Sequence, residues 1–203
     1  MLSVGPERAE AAIRSCLAMG ADRGIIVTDP ATEGGDEFAT ATVVAKAAQN
    51  EGFDIILAGF QAVDDGSGQV GARVAELLNI PQVTIVTKLD IEGGKAVATR
   101  EIDDGVELIE VPLPAIFTAQ QGLAEPRYPS MKGIMQAKKK PLDRLTLEDL
   151  GMSAGEAGAS AAKVTIEALT MPPARQAGKI VGGEPVDAAV ELVKLLRTEA
   201  KVI

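Results

Sequence analysis

The stretch GFQAVDDGSGQVG, from Gly59 to Gly71, has the composition of a loop that binds an anion. Its four glycines let backbone N–H groups approach a ligand closely, and a helical pattern follows it. The start of that helix offers unpaired amides and the positive end of its dipole, so phosphate is the expected ligand. Because Asp64 and Asp65 would repel a phosphate, we expect them to accept hydrogen bonds from loop amides or ligand hydroxyls.

The loop matches neither of the common phosphate-binding motifs. It contains no GxGxxG dinucleotide fingerprint and no GK[ST] segment of a Walker loop. A plain connection between a strand and a helix, without a ligand, is the alternative interpretation. The glycines and the exposed position expected for Gln69 favour binding.

The composition excludes several kinds of chemistry. The 203 residues include no histidine and one cysteine, Cys16, so this chain has no Ser-His-Asp triad, no CxxC site and no internal disulfide. A net charge of −9 argues against broad binding to nucleic acid or anionic membranes. The start of the chain has neither a basic leader nor a long apolar run, which indicates a soluble, cytoplasmic protein.

Apolar strands alternate with amphipathic helices in the first part of the chain. The pattern predicts helices over 6–19, 36–50 and 69–78 and buried strands over 23–29 and 53–59. This alternation predicts a parallel sheet covered by helices on both faces. The glycine-rich loop would then leave the carboxyl end of a strand, where open α/β sheets bind ligands. The stub LSV at 2–4 is short for a first strand and is expected to add at an edge or to follow a missing upstream segment.

The pattern changes after Pro81. Alternation near period two, with turn signals at Gly93-Gly94 and Asp104-Gly105, predicts antiparallel strand pairs. From Gln120 the chain is rich in proline and glycine until an amphipathic helix over 185–199. We therefore predict a nucleotide-binding α/β domain over 1–119. Over 120–203 we predict a segment whose C-terminal part is an arm that packs on another subunit.

Three stretches together resemble the β subunit of electron transfer flavoprotein (ETF). They are GFQAVDDGSGQVG (59–71), TREIDDGVELIEVPLPAIFTA (99–119) and GLAEPRYPSMKGIMQAKKKP (122–141), of which the last is the most specific. The resemblance implies an adenine-nucleotide-hydrolase-like α/β fold and a heterodimer whose α subunit carries the redox-active FAD. It also implies that this chain binds AMP with no redox role. The candidate nucleotide-binding residues are Gly59, Gln61, Ala62, Asp64, Asp65, Gly66, Ser67, Gly68, Gln69, Val70 and Gly71.

The resemblance also assigns two surfaces. In this family the Arg-Glu pair that corresponds to Arg100 and Glu101 lies near the flavin and the subunit interface, although a solvated hairpin would explain these residues too. The segment around EPRYPS resembles the loop that captures acyl-CoA dehydrogenases and other flavin dehydrogenases, with Met131 as its apolar anchor. The candidate partner-recognition residues are Glu125, Pro126, Arg127, Tyr128, Met131, Ile134, Met135, Lys138, Lys139 and Lys140, the lysines acting as electrostatic guides.

Two features depart from the family pattern. Ala124 stands where the family usually has asparagine, which removes a side-chain hydrogen-bond donor and acceptor. The family's first strand and the segment after it have no counterpart before Met1, so we expect an incomplete sheet and an incomplete AMP pocket.

The resemblance implies an electron carrier subunit rather than an enzyme. With its α partner it would pass electrons from dehydrogenases to ETF-quinone oxidoreductase at the membrane. A variant of this function is the bifurcating or nitrogen-fixation branch, in which β binds a second FAD in place of AMP. Two other hypotheses are a nucleotide-binding α/β enzyme and an interaction subunit with an empty loop.

Overall fold

The structure is a computed structural model that describes residues 1–175 and 177–203. These residues form two compact units, Met1–Thr165 and Ile166–Ile203. The strands are β1 Leu2–Val4, β2 Gly24–Val27, β3 Ile55–Gly59, β4 Gln82–Glu92, β5 Lys95–Ile102, β6 Gly105–Pro112, β7 Ala115–Ala119 and β8 Leu142–Leu145. The α-helices are α1 Glu10–Met19, α2 Glu37–Glu51, α3 Val70–Leu78, α4 Met131–Ala137, α5 Gly158–Ala161 and α6 Pro185–Leu195.

The first sheet contains three parallel strands in the order β1-β2-β8. All four residues of β2 are buried, because α1 and α4 cover one face of the sheet and α2 covers the other. Gly24 permits the close approach of α1, since a Cβ atom there would lie 2.5 Å from Ile13 Cγ2. The segment LSV forms β1 at the edge of this sheet, as in the first of the two alternatives expected from the sequence.

The second sheet has the order β3-β7-β4-β5-β6. Its first three strands are parallel, and its last three are antiparallel. The predicted antiparallel pairing after Pro81 is confirmed for β4, β5 and β6 but is wrong for β7, which pairs in parallel with β3 and β4. Helix α3 packs on one face, and alanine and valine side chains of β5 and β6 form a core with Phe117 of β7. The α/β class and the mostly parallel sheet are confirmed; helices cover both faces in the first sheet only.

Helix α2 contacts both sheets through neighbouring faces of small residues. Val43 and Ala47 pack with β1 and β2, whereas Ala41 and Ala45 pack with α3 and with Ile116 of β7. Asp36 caps the helix, because its Oδ1 atom accepts a hydrogen bond of 2.9 Å from the Ala39 amide. This helix therefore holds the two sheets in one unit.

Three details differ from the sequence-based expectations. Strand β3 is only partly buried, with Leu57 62% exposed, because it lies at a sheet edge and pairs with β7 alone. The second hairpin turn is Asp103-Asp104, and Gly105 is the first residue of β6. The first compact unit extends to Thr165, beyond the boundary predicted at residue 119, because β8 pairs with β2 and α4 packs on α1.

Among the residues described, no helix combines the length and apolar character needed to span a membrane.

Candidate nucleotide loop and partner-recognition surface

The glycine-rich loop leaves the carboxyl end of β3 and enters α3 at Val70. It closes on itself, since the Ala62 amide donates to Ser67 O at 2.8 Å and Gln61 Nε2 donates to Gly66 O at 2.6 Å. Gly66 has a φ of 74°, a left-handed conformation that favours glycine. The loop is therefore a compact structure that has its own internal hydrogen bonds.

The two aspartates of the loop face its own amides. Asp64 Oδ1 accepts from the Asp65 amide at 3.0 Å, and Asp65 Oδ1 accepts from the Ser67 amide at 2.8 Å. The expectation that these carboxylates accept hydrogen bonds from loop amides is confirmed. Because those bonds direct the carboxylate oxygens to the backbone, the loop reduces the repulsion that an incoming anion would meet.

The N-terminus of α3 has donors without a capping side chain. Gln69 is the N-cap residue but makes no capping hydrogen bond, because its Oε1 atom accepts from Arg73 Nη2 at 2.6 Å and Nε at 3.2 Å. The first-turn amides can therefore receive an anion, and Arg73 brings a cation to the same helix turn. Sequence reasoning missed Arg73, although its spacing of four residues from Gln69 was a signal.

Gly68 and Gly71 differ in what lies beside them. A Cβ atom at Gly68 would lie 3.2 Å from Phe60 O, whereas one at buried Gly71 would lie 2.7 Å from Thr118 Cγ2 of β7. Neither glycine has a φ in the left-handed region. Packing of α3 against β7 thus accounts for Gly71 without a ligand.

Ser67 carries an unsatisfied hydroxyl group. Among the residues described, Ser67 Oγ is the one buried side-chain polar atom that makes no hydrogen bond. Buried polar atoms in native proteins normally have a partner, and an ordered water molecule or a ligand group could serve as one here.

A cleft lies at the carboxyl ends of β1 and β2, apart from the glycine-rich loop. It has a volume of about 790 Å³ and is lined by Gly5, Pro6, Glu7, Arg8, Thr28, Asp29, Pro30, Thr32 and Glu33. The carboxylate of Asp29 is already used, because it accepts from the amides of Ala31 at 2.9 Å and Leu147 at 3.2 Å. These residues belong to no recognisable sequence motif, so the sequence gives no signal for this cleft.

Within residues 1–175 and 177–203, no group of three or more His, Cys, Asp or Glu side chains has a geometry that could hold a metal ion.

The side chains of Arg100 and Glu101 lie on opposite faces of the hairpin formed by β5 and β6. Arg100 lies opposite Glu107, and its Nε donates to Glu107 Oε2 at 2.6 Å. Glu101 lies opposite Val106, and its side chain points to the other face of the hairpin. In the described part of the chain its carboxylate makes no salt bridge and no hydrogen bond. Arg100 already has a partner in this chain, so Glu101 is the side chain that could pair with an external cation.

The partner-recognition segment ends in helix α4. Ser130 caps it by accepting from the Gly133 amide at 3.0 Å. Tyr128, Met131 and Met135 are 95%, 76% and 68% exposed, and Ile134 borders a groove of about 500 Å³ between α1 and α4. The residues predicted to meet a partner therefore include a group of exposed apolar side chains, with Glu125, Pro126 and Arg127 exposed before them.

The three lysines after α4 do not share one role. Lys138 and Lys139 are exposed, and in the described structure neither side chain forms a hydrogen bond or salt bridge. Lys140 is partly buried, and its Nζ atom donates to Leu17 O at 3.0 Å and Ala21 O at 2.6 Å. Its assignment as a free electrostatic guide is corrected, because two backbone carbonyls at the end of α1 bind its charge.

Comparison with known proteins places the chain in a family. A profile of the electron transfer flavoprotein domain matches residues 1–150. The electron transfer flavoprotein subunit beta of Bacillus subtilis is 47% identical over 203 residues, covering 100% of this chain and 78% of that protein. The subunit beta of Syntrophomonas wolfei is 45% identical over 202 residues, covering 100% and 75%.

A relative in a different complex is also similar. The caffeyl-CoA reductase-Etf complex subunit CarD of Acetobacterium woodii is 38% identical over 199 residues, covering 97% of this chain and 76% of CarD. These matches span both the glycine-rich loop and the recognition segment. The chain therefore belongs to the electron transfer flavoprotein β subunit family, whose role is electron transfer in a flavin-containing complex.

Proposed function

We propose that this chain is the β subunit of a cytoplasmic two-subunit electron carrier. In this proposal it binds AMP at the 59–71 loop and assembles with an α subunit that carries FAD. The assembled carrier accepts electrons from acyl-CoA dehydrogenases and other flavin dehydrogenases, and it delivers them to ETF-quinone oxidoreductase. The chain itself catalyses no reaction.

The uncapped start of α3 carries the nucleotide part of the proposal. Its amides have no side-chain acceptor, Arg73 adds positive charge, and the loop aspartates turn toward their own backbone. This combination suits a phosphate group, since backbone donors and the helix dipole both favour an anion. Ser67 Oγ, buried without a partner, would gain one from the ligand.

The exposed apolar side chains of α4 support the docking part. Met131 and Met135 are unbranched, flexible side chains that can fit pockets of different shape, and Lys138 and Lys139 lie next to them in the chain. On a chain with a net charge of −9, a local cluster of free lysines would steer an acidic partner surface.

Nucleotide analysis of the complex tests the proposal. The chain is co-expressed with its α subunit, and the released nucleotides are identified by mass and by flavin absorbance. We expect about one AMP and one FAD per heterodimer, and a colourless chain when it is isolated without α. A complex that contains no nucleotide other than FAD from α would reject the AMP site.

A matched pair of variants locates the AMP site. Gly68→Glu places a carboxylate beside the start of α3 and should release AMP, because like charges repel at short range. Val63→Glu adds the same charge at a side chain that projects fully into solvent, so AMP should remain. Full AMP content in both variants would show that the nucleotide binds elsewhere.

A second candidate function is favoured by the similarity to CarD. CarD is named as a subunit of a caffeyl-CoA reductase-Etf complex, so a relative of this chain is also found with a reductase. In that alternative the 59–71 loop binds a second FAD in place of AMP. Two flavins and no AMP per heterodimer would support this alternative and reject the first.

A further inference from the structure

We propose that Arg14 and Lys140 position α4 for docking, through a clasp in which Arg14 of α1 caps the C-terminus of α4 and Lys140, in the segment after α4, caps the C-terminus of α1. This inference rests on the proposed function, because it takes α4 as the helix that meets the electron donor. The clasp is defined as Arg14, Lys140 and the four carbonyls that they bind. Arg14 belongs to α1, whereas Lys140 lies three residues after the end of α4.

Arg14 caps the end of α4. Its Nη1 atom donates to Ala137 O at 2.8 Å and to Lys140 O at 3.0 Å. Glu10, one turn earlier on α1, holds the guanidinium in place through contacts of 3.4 Å to Nε and Nη2. The last carbonyls of a helix have no partner within it, so a charged donor directed at them stabilises the helix end.

Lys140 caps the end of α1 in return. Its ammonium group donates to Leu17 O and Ala21 O, on either side of Gly20, the C-cap residue of α1. A cation at this end also interacts favourably with the negative end of the helix dipole. The clasp therefore provides four charge-assisted hydrogen bonds between the two helix ends.

The backbones of the two helices also lie close together. A Cβ atom at Gly133 would lie 2.5 Å from Ala18 O, and Ala137 is buried in a core with Ile13 and Leu17. The side of α4 that meets α1 thus carries Gly133 and Ala137, whereas Met131 and Met135 stay exposed.

Helix α4 needs such support because it has only seven residues. Isolated helices shorter than about 12 residues are marginal in water. If α4 were disordered before docking, the partner would have to order it, and that entropy would subtract from the affinity. The clasp orders the helix in advance, so its loss should weaken docking without changing the salt dependence.

Two lysine variants of the assembled AMP- and FAD-loaded carrier test the clasp. Lys140→Met removes the ammonium group but keeps most of the aliphatic stem, and Lys139→Met removes a neighbouring charge that has no partner. We expect amide exchange in 131–137 to rise about tenfold or more in Lys140→Met only, because local opening becomes easier. Lys140→Arg, which keeps a charged donor, should restore slow exchange.

Reduction by a purified acyl-CoA dehydrogenase at two ionic strengths gives the functional readout. Lys140→Met should raise the KM for the carrier about fivefold or more, with kcat and the salt dependence nearly unchanged. Lys139→Met should mainly lower the salt dependence of the association rate. Arg14→Met, which removes the other half of the clasp, should reproduce the KM and exchange effects of Lys140→Met.

The possible failures are distinguishable. Equal exchange in Lys140→Met and Lys139→Met would overturn the clasp. Fast exchange with an unchanged KM, while Met131→Ala raises KM, would overturn the positioning role alone. Fast exchange with no KM effect in any variant, Met131→Ala included, would keep the clasp but reject docking by α4. If neither Lys140→Met nor Arg14→Met assembled, the clasp would be required for folding and the positioning role would be rejected.

Discussion

At the scale of single residues, hydrogen bonds decide which charged side chains remain free to bind. The roles of Asp64 and Asp65 could be predicted, because an aspartate in a glycine-rich turn has amides of its own chain within reach. The role of Lys140 could not be predicted from the sequence. Its partners are carbonyls at the end of a helix more than 100 residues earlier in the chain, and a run of three lysines gives no sign of them.

Gly71 gives a prediction about packing that is separate from ligand binding. Gly71→Ala should lower the free energy of unfolding by about 1 to 3 kcal/mol, because the new Cβ would overpack against Thr118 Cγ2. The loss should appear without nucleotide, in urea unfolding of the isolated chain. Adding Thr118→Ser removes the opposing methyl group but keeps the hydroxyl that accepts from the Ile85 amide, so the double variant should recover stability. Strictly additive losses would contradict this contact.

Asp36 gives a prediction about pH. Hydrogen bonds from the Ala39 amide, and then from the Lys163 and Val164 amides, hold the pKa of Asp36 below its ordinary value. A lowered carboxyl pKa contributes stability that is complete above the unfolded value of about 4 and is lost as the pH falls through the folded value. We therefore expect the amides of 163 and 164 to be protected at pH 7, relative to the intrinsic exchange rate at that pH, and to lose this protection in strong acid.

The Asp36→Asn variant isolates that contact. Asparagine keeps the oxygen that caps α2 at Ala39, but its NH₂ group cannot accept from the Lys163 and Val164 amides. Amide exchange in 163–164 should therefore be fast at pH 7, while α2 remains protected. Protection of 163–164 that is equal in both proteins at pH 7 would assign their order to another contact.

At the scale of elements, the order of strands and helices could be predicted from periodicity, but their neighbours could not. An apolar run such as IILAG looks the same in a central strand and in an edge strand, and here β3 is an edge strand with Leu57 exposed. The short segment LDRL gave no signal as a strand, yet it pairs with β2 as β8. Pairing between distant segments therefore moved the boundary of the first unit beyond the predicted residue.

Gly133→Ala tests the packing of α4 on α1. By helix propensity alone, alanine should stabilise α4 by about 1 kcal/mol relative to glycine. The structure predicts the opposite sign, because the added Cβ would lie 2.5 Å from Ala18 O, a backbone atom that cannot move cheaply. We expect the free energy of unfolding in urea to fall by about 1 to 3 kcal/mol.

The control Lys132→Ala, at an exposed position of the same helix, should change the free energy of unfolding by less than about 0.5 kcal/mol. A gain for Gly133→Ala would show that the helices are further apart.

At the scale of the whole molecule, the second unit has an apolar helix surface that an assembled complex would bury. In α6, Val186, Val190 and Val193 are 75%, 65% and 43% exposed. Such a stripe is unusual for a surface helix that stays in water, and it agrees with the prediction that this segment is an arm on the α subunit. The prediction of the helix over 185–199 is confirmed by α6 and the π-helical turn Leu196–Ala200 that follows it.

Assembly with the α subunit should therefore protect α6. Amide exchange over 185–200 is expected to be fast in the isolated chain and at least tenfold slower in the heterodimer, because burial of the apolar stripe suppresses local opening.

Val190→Ala should weaken assembly about tenfold, the equivalent of about 1.4 kcal/mol for a buried side chain truncated by two methyl groups. Alanine also favours the helix more than valine, so a loss of helix propensity cannot explain weaker binding. Glu191→Ala, on the polar side of α6, is the matched control and should leave the affinity for α within about twofold of the wild type, since its ion pair with Lys194 is exposed. Equal affinities for Val190→Ala and Glu191→Ala, together with unchanged exchange over 185–200 on assembly, would show that the arm does not dock through this stripe.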